Sequence, residues 1–337
     1  MPSMRKRHTA AAAIVAALVL APQVPAATST KEGGSISLVA YSTPKEAYGQ
    51  IISAFQKTKA GQGVTFQQSY SGSTEQAQAV VNGLHADVVA LSLEPDIATL
   101  VKAKLVKPSW KNDRWHGIVT RSVVVFVLRD GNPKKIRDWE DLVKPGVQVV
   151  TPNPFTSGGA RWNVMAAYGA QLRNKKTPKK AIAYLGQLFR HVVSQDTSAR
   201  NALQTFLAGR GDVLLTYENE AILAQQQNRP VFFVIPKATI QIENPLAIIS
   251  KSKNKTQAQA FYRFLYSPAG QKLFAETGYR PVVRSVARQF ASKYPPRPQL
   301  FKIGYVGGWA KVSTQFFDPT NGVMAKIERG LGVNPGG

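Results

Sequence analysis

No cysteine occurs in the chain. That absence excludes disulfides, thiolate metal centres, a cysteine nucleophile and a lipid-modified cysteine behind an export signal. Histidine is nearly as scarce: His8, His85, His116 and His191 are the full set, far apart in sequence. There is no HExxH zinc helix and no GxSxG nucleophile elbow. Glycine-rich phosphate loops of the Walker or dinucleotide type are missing too. Paired carboxylates such as Glu140–Asp141 read as exposed helix residues, so no catalytic assembly can be built and the chain is not expected to be an enzyme. Acidic residues are few, 19 against 43 lysines and arginines, which leaves a net charge of +24. Long apolar runs are limited to one, residues 10–21, which is too short to span a bilayer comfortably.

That run follows Arg5, Lys6 and Arg7 and precedes the small residues of PQVPAA. Basic start, short apolar stretch and small residues form a secretory signal peptide over 1–26, with cleavage expected after Ala26 or Ala27. The product is expected to be released into a periplasm. The mature chain remains strongly basic, with the charge scattered over KNDR, NPKKIRD, RNKKTPKK and PPRP. No basic stripe alternates with aromatics, which argues against nucleic acid as the partner. The charge reads as a surface field.

With 337 residues, 44% of them apolar, the chain can bury the cores of two domains. Residues 35–41 alternate as a strand, and Ala47, Tyr48, Ile51, Ile52 and Phe55 recur at helical spacing within 45–58. VTFQQSY, a helix over 74–84 and ADVVALSL complete a strand–helix–strand–helix–strand order, which predicts a parallel sheet with crossover helices. A long strand starts at Ile118, and QVVTPNP is another. Helices are expected over 160–172, 179–189 and 198–207. GDVLLTYEN runs as a strand into a helix near 220–227, VFFVIP and LAIISKS read as strands, and the segment around Ser267-Pro268-Ala269-Gly270 is helical.

Three places share one design, a run of small and hydroxyl residues that opens a helix. They are Ser69, Ser71, Gly72, Ser73 and Thr74; then Thr156, Ser157, Gly158 and Gly159; then Thr197, Ser198 and Ala199. A helix start leaves backbone N–H groups without intrahelical acceptors, and the macrodipole adds partial positive charge there. Glycine lets an anion approach the backbone, and serine adds O–H donors. Ser and Thr are also ordinary N-caps, so each run alone reads first as a capped helix, and it is the recurrence of three after sheet strands that shifts the reading. In open parallel sheets, ligands sit beyond the carboxyl ends of strands, which is where these runs lie. A donor-only site has nothing to accept a proton. Hydrogenphosphate would bring an O–H, and a buried donor left unpaired costs about 1–3 kcal/mol.

The ordered succession of QQSYSGS, GNPKKIRDWEDLVKPGVQVVTPNPFTSGGARWNVMAAYGA, AGRGDVLLTYENEA, LYSPAGQ, GYRPV and GGWAK resembles the periplasmic sulfate- and thiosulfate-binding proteins of ABC importers. The resemblance covers nearly the whole mature chain. It implies an α/β type II periplasmic-binding-protein fold, two lobes with a hinge and a central anion cleft. The lobes are expected over 35–120 plus 247–325 and over 121–246. It implies a hydroxyl donor at Ser73, donors at Ser157, Gly158 and Gly159, and backbone donors at Ala199 and Thr43, with Arg200 beside the cleft. Where this family carries a tryptophan whose indole N–H reaches the anion, this chain has Tyr217. Thr43 stands where aspartate is common, and Ser71 and Thr74 replace glycines. The implied partners are sulfate or thiosulfate, a membrane permease and its cytoplasmic ATPase, with the receptor a monomer and no cofactor or metal. Molybdate, tungstate or phosphate capture, ester hydrolysis and polyanion binding are the alternatives.

Overall fold

The computed structural model describes residues 33–297 and 299–333, and the expected signal peptide lies outside them. The elements run β1 (Ser35–Tyr41), α1 (Lys45–Gln56), β2 (Thr65–Ser71), α2 (Ser73–Val81), β3 (Val88–Ala90) and α3 (Glu94–Lys102). Then follow β4 (Ile118–Arg129), β5 (Val149–Pro152), α4 (Gly158–Arg173), α5 (Pro178–Arg190), β6 (Val192–Asp196) and α6 (Ala199–Leu207). Next come β7 (Val213–Tyr217), α7 (Glu218–Gln226), β8 (Val231–Val234), β9 (Ala238–Ile248), α8 (Lys255–Leu265) and α9 (Pro268–Glu276). The chain ends with β10 (Arg280–Pro281), α10 (Arg284–Gln289), β11 (Gln299–Phe301), α11 (Gly308–Phe317) and α12 (Val323–Gly330).

The strands line up in the order β2-β1-β3-β9-β4-β7-β5-β6. β1 pairs parallel with β2 and β3, and β5 pairs parallel with β6 and β7. Two long antiparallel strands join these groups. β9 pairs with β3 through Leu246 to Ile248 and with β4 through Gln241 to Pro245. β4 continues past that contact and pairs with β7 and β8. Its run SVVVFVL is buried on both faces, as its unbroken β-branched and aromatic composition requires of a central strand.

Apolar packing follows the same division. Ile36, Leu38, Tyr48, Ile51, Phe55, Phe261, Leu265 and Phe274 form one core over β1, with α1, α8 and α9 on it. Val124, Phe126, Trp139, Val149, Met165, Leu185 and Leu215 belong to a second. The chain end departs from expectation. Phe301, Val306, Trp309, Val312, Phe316 and Met324 lie in this second core, not with the first lobe. β11 pairs with Ala238 to Ile240 of β9, which carries the segment to that side. There the apolar faces of α11 and α12 cover α4 and α5.

Several elements escaped the sequence reading, three of them close to the site or the crossing strands. α3 buries Asp96, Ile97 and Leu100, so a carboxylate interrupts its apolar face. β6 has only two apolar residues and is half-buried. The first part of β9 contains Pro245, which argues against a strand. The ladder accommodates it at a register shift opposite Ile118.

α12 carries Glu328, fully buried, and neither carboxyl oxygen is hydrogen-bonded among the described residues. Burial pushes its carboxyl up from 4.5 to about 7. Between those values the folded chain holds a proton that the unfolded chain has released, so stability falls as pH rises through this window. Glu328→Gln is expected to stabilise the protein at pH 8, by on the order of 2 kcal/mol, and to change little at pH 5. Thermal melts at both pH values test this; an equal shift at both would refute it.

Candidate functional site

The three helix starts singled out in the sequence meet in space. Gly72, which precedes α2, has no side chain because none fits: a Cβ there would lie 2.6 Å from the Thr156 carbonyl oxygen and 2.8 Å from that of Thr197. The loops before α2, α4 and α6 therefore touch at one point. A Cβ on Gly159 would lie 2.8 Å from the Tyr217 ring and 3.2 Å from Ala199 Cβ. A Cβ on Gly158 would lie 2.6 Å from both Cβ and Oγ of Ser92. Thr43 joins from the end of β1, where its carbonyl accepts a 3.0 Å hydrogen bond from Arg200, and the Arg200 N–H lies 3.4 Å from Ser42 Oγ.

These starts leave donors uncommitted. Among the described residues, the N–H groups of Thr43, Gly158, Gly159 and Ala199 meet no backbone or side-chain acceptor. The Ser157 hydroxyl, on a buried side chain, makes no hydrogen bond there either, although the Ser157 N–H is spent on Asn153. Tyr217 is buried, and its hydroxyl lies 2.6 Å from Ser92 Oγ. That pair holds two hydroxyl hydrogens and spends one internally, so one remains to donate.

Two expected site residues are engaged differently. Ser73 was expected to give its hydroxyl to the ligand. Instead Ser73 Oγ donates to Asp96 Oδ2 at 2.5 Å and accepts from the Ser92 N–H at 2.8 Å. Ser73 thus offers the cleft its N–H, at the first position of α2, and lone pairs. Arg200 was expected beside the ligand, but its guanidinium is turned onto carboxylates. It donates to Glu220 at 2.8 and 2.9 Å and to Glu46 at 2.6 and 2.8 Å. Burial pushes the Glu46 carboxyl up, and the hydrogen bonds and charge of Arg200 outweigh it, so the group is held below its usual range. A guanidinium between two carboxylates has no positive charge to spare.

Asp96 and Ser92 were missed by the sequence reading. Asp96 is buried, and its other carboxyl oxygen accepts from Thr74 at 3.0 Å. Burial raises its pKa, while the charge of Arg161 and the two hydroxyls oppose that shift. The acids flanking the three runs turn elsewhere. Glu75 accepts from the Gly72 N–H at 3.3 Å and from the Ser71 hydroxyl, capping its own helix. Asp196 accepts from Ser194 and Thr205.

Neighbouring residues hold the frame. Glu218 pairs with Arg280 at 2.7 Å, and Asn219 donates to Tyr279, whose hydroxyl lies 2.9 Å from Thr43 Oγ1. Trp162 is buried, donates its indole N–H to the Ser92 carbonyl at 3.0 Å and meets Trp309 edge-on. The arrangement is a buried junction of helix N-termini, suited to a small anion.

Comparison with known proteins is in register with this geometry. Residues 36–280 match the profile of the family described as bacterial extracellular solute-binding protein. A sulfate-binding protein of Synechococcus elongatus is 42% identical over 302 residues, covering 86% of each chain. A thiosulfate-binding protein of Pseudomonas aeruginosa is 36% identical over 303 residues, which cover 86% of this chain and 90% of that one. The solved structure of the sulfate-binding protein SubI from Mycobacterium tuberculosis superposes with a TM-score of 0.82 at 44% identity, covering 85% of this chain and all of that one.

Proposed function

Because this chain belongs to the bacterial extracellular solute-binding proteins, with the periplasmic-binding-protein fold of two α/β lobes, we propose that it is a receptor that captures sulfate or thiosulfate between its lobes. The observation that carries this reading is the meeting of Gly72, Gly158, Gly159, Ala199 and Tyr217 around uncommitted N–H and O–H donors. Such a site neutralises a dianion with partial charges instead of a lysine or arginine, so the anion is held without a formal ion pair. Thr43, Ser73, Ser157, Gly158, Gly159 and Ala199 give backbone or hydroxyl donors, and the Tyr217–Ser92 pair gives the remaining hydroxyl. Arg200 serves by fixing the loop of Thr43 against α6.

The lobes close by bending the crossing strands β4 and β9, with 35–120 and α8–α9 on one side and 121–246 with the chain end on the other. The closed form then docks on a membrane permease driven by a cytoplasmic ATPase, and the receptor works as an exported monomer without catalysis. No helix among the described residues is long and apolar enough to cross a membrane. The signal-peptide cut falls after Ala26 or Ala27.

Calorimetric titration of the mature protein, dialysed free of anions, tests the reading. One-to-one binding is expected for sulfate or thiosulfate, and none for phosphate. The affinity is expected to change little between 50 and 200 mM chloride salt, because buried donors are screened far less than surface charge. Silence toward every oxyanion would refute the receptor, and steep salt dependence would return polyanion binding to the front.

A further inference from the structure

Ser92 lies between β3 and α3, outside every motif of the sequence, and is fully buried. Each of its polar groups is committed, and to a different element. Its N–H donates to Ser73 Oγ at the start of α2. Its carbonyl accepts two bonds, from Trp162 Nε1 of α4 at 3.0 Å and from Asn244 Nδ2 of β9 at 3.1 Å. Its hydroxyl meets Tyr217 at the end of β7. Its Cβ also occupies the space that only a glycine at 158 leaves open.

One residue of the β1–β3 side therefore holds two contacts on the β5–β7 side, one on a crossing strand and one at a helix start of the site. We propose that Ser92 is the latch that holds this receptor closed, a positioning residue through which capture of the anion is coupled to lobe closure. The proposal rests on the receptor reading above.

The chemistry of the latch is lopsided. Opening the cleft must separate Ser92 from Tyr217 and from Trp162. Before closure, water satisfies the Ser92 hydroxyl, the phenol and the indole N–H, so the approach of the anion costs nothing at this point. After closure, the phenol is buried and, among the described residues, has Ser92 alone beside the ligand to satisfy it. The latch should therefore act on escape far more than on entry, which is how affinity is commonly tuned among variants of one site. Ser92 also aims the phenol. With Ser92 Oγ fixed by its own backbone, the Tyr217 oxygen is held beside Gly159, 3.3 Å from where a Cβ would stand.

Stopped-flow tryptophan fluorescence of the mature protein against sulfate tests this, because Trp162 bonds directly to Ser92. The slope of observed rate with sulfate gives entry and the intercept gives escape. Ser92→Ala is expected to raise the escape rate about tenfold, the cost of removing one of the two partners of a buried hydroxyl, and to change entry less than about threefold. Tyr217→Phe, which keeps the ring, is expected to raise escape by a comparable factor. The double variant should be no worse than the worse single variant, since both remove the same bond. An unchanged escape rate in Ser92→Ala, or effects of the two substitutions that simply multiply, would overturn the latch. A drop in melting temperature of ligand-free Ser92→Ala with wild-type escape would overturn it too, since it would make Ser92 a packing residue only. Wild-type protein that answers to no oxyanion overturns the receptor reading itself, and that result is in hand before any variant is made.

Discussion

Gly158→Asp is expected to abolish sulfate binding, with no heat of titration at millimolar sulfate. Two effects add at this position. The first is steric. A Cβ at 158 would stand 2.6 Å from Cβ and Oγ of Ser92 and 2.8 Å from a methyl of Leu93, and the Ser92 Cβ cannot swing away by a side-chain rotation. Something in the backbone between β3 and α3 must shift, and with it the contacts of Ser92. The second is electrostatic. A carboxylate at the first position of α4 would place a negative charge where the anion is received. Two like charges about 5 Å apart at an effective dielectric of about 20 repel by about 3 kcal/mol, a factor of more than a hundred in affinity. Gly158→Ala separates the two. It keeps the clash without the charge and is expected to weaken binding about ten- to a hundredfold. Gly186, on α5, has nothing within 4 Å of a would-be Cβ, so Gly186→Ala is the control that leaves binding at the wild-type value. Sulfate bound by Gly158→Asp as by wild type would remove the α4 start from the site.

Much of this geometry is visible in the chain before folding, for identifiable reasons. Helix starts are local: a strand, then small and hydroxyl residues, then helical apolar spacing. VVTPNPFTSGGARWNV therefore announces the start of α4, and SQDTSARN that of α6, without knowledge of their neighbours. The buried face of α1, with Ala47, Tyr48, Ile51, Ile52 and Phe55, follows directly from its period. What is not local is illegible. Ser92 lies in SLEPD, which reads as the end of a buried strand, and four partners drawn from α2, α4, β7 and β9 give it its importance. Asp96 stands in α3 as an ordinary first-turn acid, and only the fold brings it to Ser73. Arg200 sits one residue inside an anion-facing helix and reads as a ligand contact until Glu46 and Glu220, 154 and 20 residues away, are seen to claim it. Apolar period shows that α11 and α12 bury a face, but not which core receives it; β11 decides that by pairing with β9.

The engagement of Arg200 leads to the other large effect. Arg200→Met is expected to destabilise the folded protein by about 3–5 kcal/mol, the usual cost of removing one partner from a buried ion pair. Glu220 is fully buried, and its carboxylate would be left without a cation. Glu46 would lose the partner that holds its pKa down. The pH dependence follows in sign. Without Arg200, burial favours the protonated form of Glu220, so the folded variant takes up a proton as pH falls and its deficit shrinks. Melting temperatures of wild type and variant should lie furthest apart near pH 8 and approach each other toward pH 5. Adding Glu220→Gln to Arg200→Met should recover part of the loss at pH 8, because the uncompensated charge is gone. Sulfate affinity is the discriminating readout. The guanidinium is already neutralised by Glu46 and Glu220, so affinity measured below the variant's melting range should fall far less than stability does. A hundredfold loss of affinity in a variant of wild-type stability would reverse the assignment, returning Arg200 to the anion and leaving the carboxylates as its guides.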